Sequence, residues 1–407
     1  MSAARGDTPV GRVLMVVENA PIPTDLRVFR EASALRDAGY EVSIISPKGW
    51  GFTRGREMVD GIAVFRHPHL EGASLLGHLA EYVNATFWEL VLALRVRRER
   101  GVDVIHLANP PDVLFLVAAL LKPLGAQVVF DQHDLGPELF EVKFGRHGRG
   151  TRVLLALERL SFRVADVSIA TNDSYRQLAI ERGEMAPEDV FVVRNGPDLT
   201  EVAPTDPRDL HGGRRHLVVF AGSMERQDGV GLLLDAARTL LDQRDDVRFV
   251  VAGPGAELAP MRAKATAMGI ADHVVFTGKI PHSEVLGIIE QADVCVSPDG
   301  KNPLNDRSTM VKVLEYMAAG KPVVQFDLHE GHVSAGEAAL YAEGNDPADL
   351  AAKIAALLDD PVRRERMGRV GRRRIETELA WQHQVPRLLA AYERLGEKRA
   401  AHLAGAS

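Results

Sequence analysis

Short apolar runs alternate with helical stretches along this chain, and no other feature restricts its fold as much. RVLMVV (12–17) ends at Glu18-Asn19 and is followed by a proline-rich loop, APIPTDLR. An amphipathic pattern then runs from Leu26 to Asp37 and stops at Gly39, before YEVSIISP returns as a second run. Strand, helix and strand at this spacing belong to a parallel sheet. VDVIHLA (102–108), QVVFDQHD (127–134) and DVSIAT (166–171) extend it. The alternation restarts with RHLVVFAG (215–222), VRFVVAG (247–253), HVVFTG (273–278), DVCVSP (293–298) and KPVVQF (321–326). Runs this apolar are buried on both faces, which implies α/β packing in doubly wound sheets. The polar, Pro-rich segment NGPDLTEVAPTDPRDLHGG (195–213) separates the halves.

Two Rossmann-like domains are therefore expected, over residues 1–196 and 197–380, with a helical tail over 381–407. A chain of 407 residues is long enough for both cores. Ligands of such sheets bind beyond the carboxyl ends of the strands, and with two domains the expected place is the cleft between them. A formal charge of -7 argues against a nucleic-acid partner. The single cysteine, Cys295, excludes an intrachain disulfide and a cysteine metal site, so a reducing, cytoplasmic setting is expected. MSAARGDTPVGR lacks the apolar core of an export signal, and no run approaches the ~20 apolar residues of a membrane span.

The stretch NDRSTMVKVLEYMAAGKPVVQF (305–326) carries a candidate site. Ser308, Lys312 and Glu315 fall on one helical stripe, with Ser308 as the expected N-cap. Amides of Thr309, Met310 and Val311 would then present the positive end of a helix to an anion, and Lys312 adds a full charge. Glu315, two turns on, is an acceptor suited to a vicinal diol. Phosphate, cation and diol acceptor in line describe a nucleotide. The alternative is a plain N-cap with a Lys–Glu pair on a solvated face.

The second half resembles the retaining glycosyltransferases of family 4, also called group 1, which have the GT-B fold. FAGSMERQDGV (220–230), with Gly222, is similar to the first loop of their nucleotide domain, and VVAGPG to its glycine turn. HVVFTGKIPHSEV resembles the base-binding strand and loop, which brings in Lys279 and Ile280. LEYMAAGKPVV is close to the family's signature helix and carries Glu315. In the first half, PIPTDLRVFREASALRDAGYEVSIIS, HLANPPDVLF and FDQHDLGPELFEVKFG resemble a variant of the same family. The resemblance places His133 near the donor sugar. It also puts Asp25, Arg27, Arg30 and Glu138 on the acceptor side and returns the tail to the first domain. Two departures stand out. Arg307 occupies the place of the signature's first glutamate, leaving Asp306 as the nearest carboxylate. Ser223 and Asp228 stand where the family tends to have an Arg and a Lys, leaving Arg226 nearby and Lys312 and Arg194 as other cations.

The resemblance implies transfer of a sugar from a nucleoside diphosphate sugar to an acceptor hydroxyl, with a UDP-sugar expected ahead of a GDP-sugar. His133, Asp306 and Glu315 are the catalytic candidates. No bound cofactor and no metal site are expected. A nucleotide-sugar epimerase of the same fold and a non-catalytic, nucleotide-binding relative remain as alternatives. The apolar segment 75–101, ending in arginines, reads either as a pair of core helices or as a peripheral contact with an anionic membrane. Oligomeric state is open.

Overall fold

The computed structural model describes residues 9–70, 75–145, 148–200 and 209–405. Parts of the separating segment (201–208) and of the N-terminal stretch (1–8) lie outside the described residues. The chain divides into two units: unit one is Met1–Arg194 with Val385–Ser407, and unit two is Asn195–Gln384.

Unit one is built on a sheet of eight strands: β1 (Arg12–Val17), β2 (Glu41–Pro47), β3 (Arg56–Val59), β4 (Ile62–His67), β5 (Val104–Ala108), β6 (Gln127–Gln132), β7 (Val167–Ala170) and β8 (Val190–Val192). Their order is β3-β4-β2-β1-β5-β6-β7-β8. All neighbours are parallel except β3 and β4, a hairpin turned by Asp60 and Gly61 at φ 46° and 79°. Asp-Gly favours that double left-handed turn, so the hairpin was legible in MVDGIAV although the apolar-run reading passed over it. The segment 75–101 is one helix, Leu75–Arg100, rather than a pair, because nothing inside it breaks the backbone ladder. The last helix, Trp381–Gly405, begins in unit two, and its residues from Val385 onward belong to unit one.

Unit two carries six parallel strands: β9 (His216–Ala221), β10 (Val247–Ala252), β11 (Val274–Gly278), β12 (Val294–Ser297), β13 (Val323–Phe326) and β14 (Ala339–Ala342). Their order is β11-β10-β9-β12-β13-β14. β9 shows why the apolar runs are continuous. Val218 and Phe220 enter one core layer with Leu233, Leu234, Val251 and Ile354, while Leu217, Val219 and Ala221 enter the opposite layer with Ile288, Tyr316 and Met317. A strand covered on both faces leaves only its ends for chemistry. The order turns at β9, with β10 to one side and β12 to the other, so a crevice opens beyond its carboxyl end.

Two glycines keep that crevice open. The Gly222 amide donates to the Ala252 carbonyl at 2.9 Å, and Gly253 stands at φ +138° with its missing Cβ only 1.9 Å from the Gly222 oxygen. Gly253→Ala must therefore push the β9 and β10 loops apart and adopt a strained backbone, at a cost of about 1–3 kcal/mol. The expected result is a Tm lowered by several degrees in a thermal melt, and an unchanged Tm would show that the two loops do not need this contact.

Candidate functional site

The unit-two crevice is a cavity of about 380 Å³. Gly222 and Ser223 line it from the loop after β9, Gly253 and Pro254 from the loop after β10, and Ile280, His282 and Val285 from the segment after β11. Thr309, Met310, Val311, Lys312 and Glu315 close it at the start of helix Val311–Ala318. That helix is moored from behind by Tyr316. The Tyr316 hydroxyl is fully buried and accepts the Ala221 amide at 2.7 Å, while the Ala221 and Val296 carbonyls lie within its donor reach at 3.3 and 3.4 Å. One residue earlier in the chain, Glu315 lines the cavity, with His282 Nε2 3.8 Å from its carboxylate.

Ser308 does not cap this helix. The preceding short helix, Pro303–Arg307, ends at Ser308, whose hydroxyl donates back to the Leu304 carbonyl at 2.8 Å. Met310 is the N-cap residue and makes no side-chain cap bond. The stripe expected from 308 to 315 thus shrinks to Lys312 and Glu315, because Pro303 and Asn302 start a separate turn that ends at Ser308. Asp306 accepts the His329 amide at 2.9 Å and so holds the start of another helix, His329–Ala335; it does not line the cavity. Arg226 is exposed on the short turn Arg226–Asp228, Lys279 is exposed beside Ile280, and neither lines the cavity.

Lys312 is the charge at the floor. Its ammonium lies 2.8 Å from Asp299, 3.4 Å from Asp228 and 4.9 Å from the centre of the Phe220 ring. Burial works against its charge, but the two carboxylates outweigh burial and its pKa is raised. Burial pushes the Asp228 carboxyl up, with Lys312 opposing and Asp299 reinforcing. Asp299 is itself buried and accepts the Ser297 hydroxyl. The sequence reading missed Asp299, although it follows a buried strand directly, as cleft residues do.

In unit one, Asn109 shapes the loop that carries His133. Its side-chain oxygen accepts the His133 amide at 2.7 Å and the Asp134 amide at 3.2 Å, while its nitrogen donates to Asp112 and the Asp134 carbonyl. His133 Nε2 closes on Asp131. Arg27 is corrected by the structure. Rather than facing a ligand, its guanidinium is buried between Asp131 at 2.8 Å, Glu31 at 3.1 Å and the Val193 carbonyl at 2.9 Å. Burial would lift both carboxyls, but Arg27 and His133 hold Asp131 well below the usual range, while burial keeps Glu31 well above it. Asp25 caps helix Leu26–Asp37 by accepting the Val28 amide at 3.1 Å, and Arg30 is half-buried on that helix. Glu138, expected toward the acceptor, is buried against Arg182 at 2.8 Å, and the same guanidinium reaches Glu158 at 2.6 Å.

The two-sheet architecture has counterparts among solved structures. Sucrose-phosphate synthase from Thermosynechococcus elongatus superposes with a TM-score of 0.77 at 19% identity, over 95% of this chain and 100% of that one. HepE of Anabaena, solved with UDP and glucose, superposes with a TM-score of 0.68 at 15% identity, over 96% and 100%. The fold is the GT-B fold of glycosyltransferases. Residues 26–196 match the family described as Glycosyl transferase 4-like domain, and residues 215–360 match Glycosyl transferases group 1. D-inositol 3-phosphate glycosyltransferase 1 of Catenulispora acidiphila is 31% identical, over 96% of this chain and 97% of the relative. The chain belongs to the group 1 glycosyltransferases, family 4, and is an enzyme of that class.

The Arg182 network makes unit one sensitive to pH. Burial, against the pull of Arg182, pushes Glu158 up to about 7, so the folded state keeps a proton that an unfolded chain releases near pH 4.5. A raised carboxyl stabilises below the unfolded value, and that contribution is lost as pH rises through the folded one. Wild-type stability should therefore fall between pH 4.5 and 7, by roughly 3 kcal/mol if Glu158 acted alone. Glu158→Gln should flatten that slope in urea melts run across the range, and an undiminished slope would place the titration elsewhere.

Proposed function

We propose that the protein moves a sugar from a nucleoside diphosphate sugar, a UDP-sugar before a GDP-sugar, to an acceptor hydroxyl with retention at the anomeric carbon. The observation that carries this reading is the unit-two cavity, with Lys312 and Glu315 on one short helix at the carboxyl ends of β9 and β10. Glu315 accepts hydrogen bonds from the ribose hydroxyls, and Ile280 packs along the base with Lys279 beside it. The amides of Thr309, Met310 and Val311 meet the diphosphate together with Lys312, and Gly222 lets the phosphates approach the backbone. Arg226, on the turn next to Asp228, is the second cation proposed for them.

Preorganised donors of this kind stabilise the charge that builds on the leaving group. The bond between the anomeric carbon and the diphosphate oxygen breaks, and the acceptor oxygen bonds to the same face. The departing phosphate oxygen takes the acceptor proton. His133, with its ring held by Asp131, is assigned the hydrogen bond to the transferred sugar. Asp306 is a weaker candidate for the same task, since its carboxylate already holds the His329 amide. The likeness to a D-inositol 3-phosphate glycosyltransferase makes a phosphorylated polyol the first acceptor to test, with Arg30 as its cation.

On helix Leu75–Arg100, Val83, Phe87, Val91 and Leu94 are exposed in line, and Arg98 follows. Among the described residues no helix is long and apolar enough to cross a membrane. An exposed apolar line ending in a cation supports a peripheral contact with anionic lipid. Phe87→Glu should then reduce co-sedimentation with phosphatidylserine vesicles, and equal sedimentation of both proteins would exclude this face.

The central test is calorimetry with UDP and GDP. Glu315→Ala removes charge-assisted hydrogen bonds worth about 1.5–3 kcal/mol, so Kd should rise roughly 10- to 100-fold. Failure of the wild-type protein to bind any nucleoside diphosphate would overturn the reading.

A further inference from the structure

A second cluster in unit one lies apart from the residues assigned above. Glu18 directly follows β1, His67 is the last residue of β4, and Glu89 lies midway along helix Leu75–Arg100. Three elements distant in sequence thus bring two carboxylates and an imidazole to one point, with ligand atoms within 4.8 Å of one another. The side chains are sealed from solvent: Glu18 is 6% exposed, His67 1% and Glu89 1%.

The hydrogen-bond inventory of this point does not close on protein groups alone. His67 Nδ1 lies 3.0 Å from the Pro68 carbonyl, which can only accept, so Nδ1 carries the proton. In the neutral ring Nε2 is then a lone pair, and it points at Glu18 Oε2 2.9 Å away, itself an acceptor. No donor from another residue meets the oxygens of Glu18 or Glu89, which can share only a carboxyl proton with each other, and His67 Nε2 has no hydrogen-bond partner. Among the described residues no Lys or Arg pairs with either carboxylate. Acceptors that converge in a buried place are offset either by shared protons or by a positive centre between them.

We propose that Glu18, His67 and Glu89 bind a divalent first-row transition ion, with zinc as the fitting probe. Imidazole and carboxylate together suit zinc, and a ring whose other nitrogen donates to a backbone carbonyl is the usual outer-shell arrangement of a metal-bound histidine. Tetrahedral bonds of ~2.0–2.2 Å set ligand atoms roughly 3.3–3.6 Å apart, so the most widely spaced of these atoms close in by up to about 1.5 Å through side-chain rotation. The closed surroundings make the ion structural. It ties the long helix to the carboxyl ends of β1 and β4, at the root of the loop that runs from Asn19 to Asp25 and opens the next helix. This role is independent of the donor reading of unit two.

The test uses the full chain, stripped by a chelator and titrated with zinc chloride by calorimetry. One ion per chain is expected, with a rise in Tm. Glu89→Gln should weaken zinc binding by about 100-fold or more, since even outer-shell losses cost 10- to 100-fold. Circular dichroism of the same variant in the absence of metal reports whether the protein still folds. X-ray absorption at the zinc edge of the wild-type protein, which needs no variant, should show one imidazole nitrogen among oxygens. No stoichiometric binding, binding unchanged by Glu89→Gln, or a spectrum without imidazole would each overturn the proposal and leave a cluster that shares protons only.

Discussion

Parallel strands covered by helices on both faces leave the protein a single kind of place for chemistry, the carboxyl ends where the chain turns from strand to helix. The cavity of unit two, the His133 loop and the Glu18–His67 pair follow from that constraint. Gly222 and Gly253 follow β9 and β10, Asp299 follows β12 by two residues, and His133 follows β6. Glu18 and His67 sit at the ends of β1 and β4. Backbone groups are least committed there, and buried charges can be gathered from elements far apart in sequence.

The cavity of unit two holds a lysine that is already paired. Lys312 is held by two carboxylates, so a diphosphate that used this cation would have to share it with Asp228 and Asp299. Burial has already raised the Asp228 carboxyl, which eases its protonation as a second anion arrives. Ser223 and Asp228, which stand where the family resemblance implies cations, both line this cavity. The substitution at 228 therefore brings a new partner for the same lysine rather than a mere loss of charge.

Unit one solves the opposite problem. Arg27 is buried among acids, and a cation in that position offsets the desolvation of Asp131 while leaving Glu31 to stay protonated. His106 adds a second ring against the same two acids at 3.5 Å, and Tyr392 from the last helix meets its other nitrogen at 2.9 Å. The C-terminal helix is thereby joined to the charge cluster beneath His133. Truncating that helix would expose groups whose protonation states depend on burial.

Periodicity alone was enough for the strand–helix alternation, because burial on both faces leaves an unbroken apolar signal that local sequence cannot hide. Helical spacing singled out Lys312 and Glu315, and the family motifs added His133, each on a segment whose local geometry is short-range. What the chain could not reveal by itself was which polar groups meet. Ser308 looked like a cap but ends a different turn, since Asn302 and Pro303 had already begun one. Arg27 looked like a ligand-facing cation but points inward, because Asp131 arrives from a strand 104 residues away. Asp299 beneath Lys312, Arg182 against Glu138, and the Glu18–His67–Glu89 point are likewise products of sheet order. Sequence determined the layers and the loops that carry chemistry; tertiary structure decided the pairings, because Coulomb and hydrogen-bond terms act over a few ångströms of space whatever the distance along the chain.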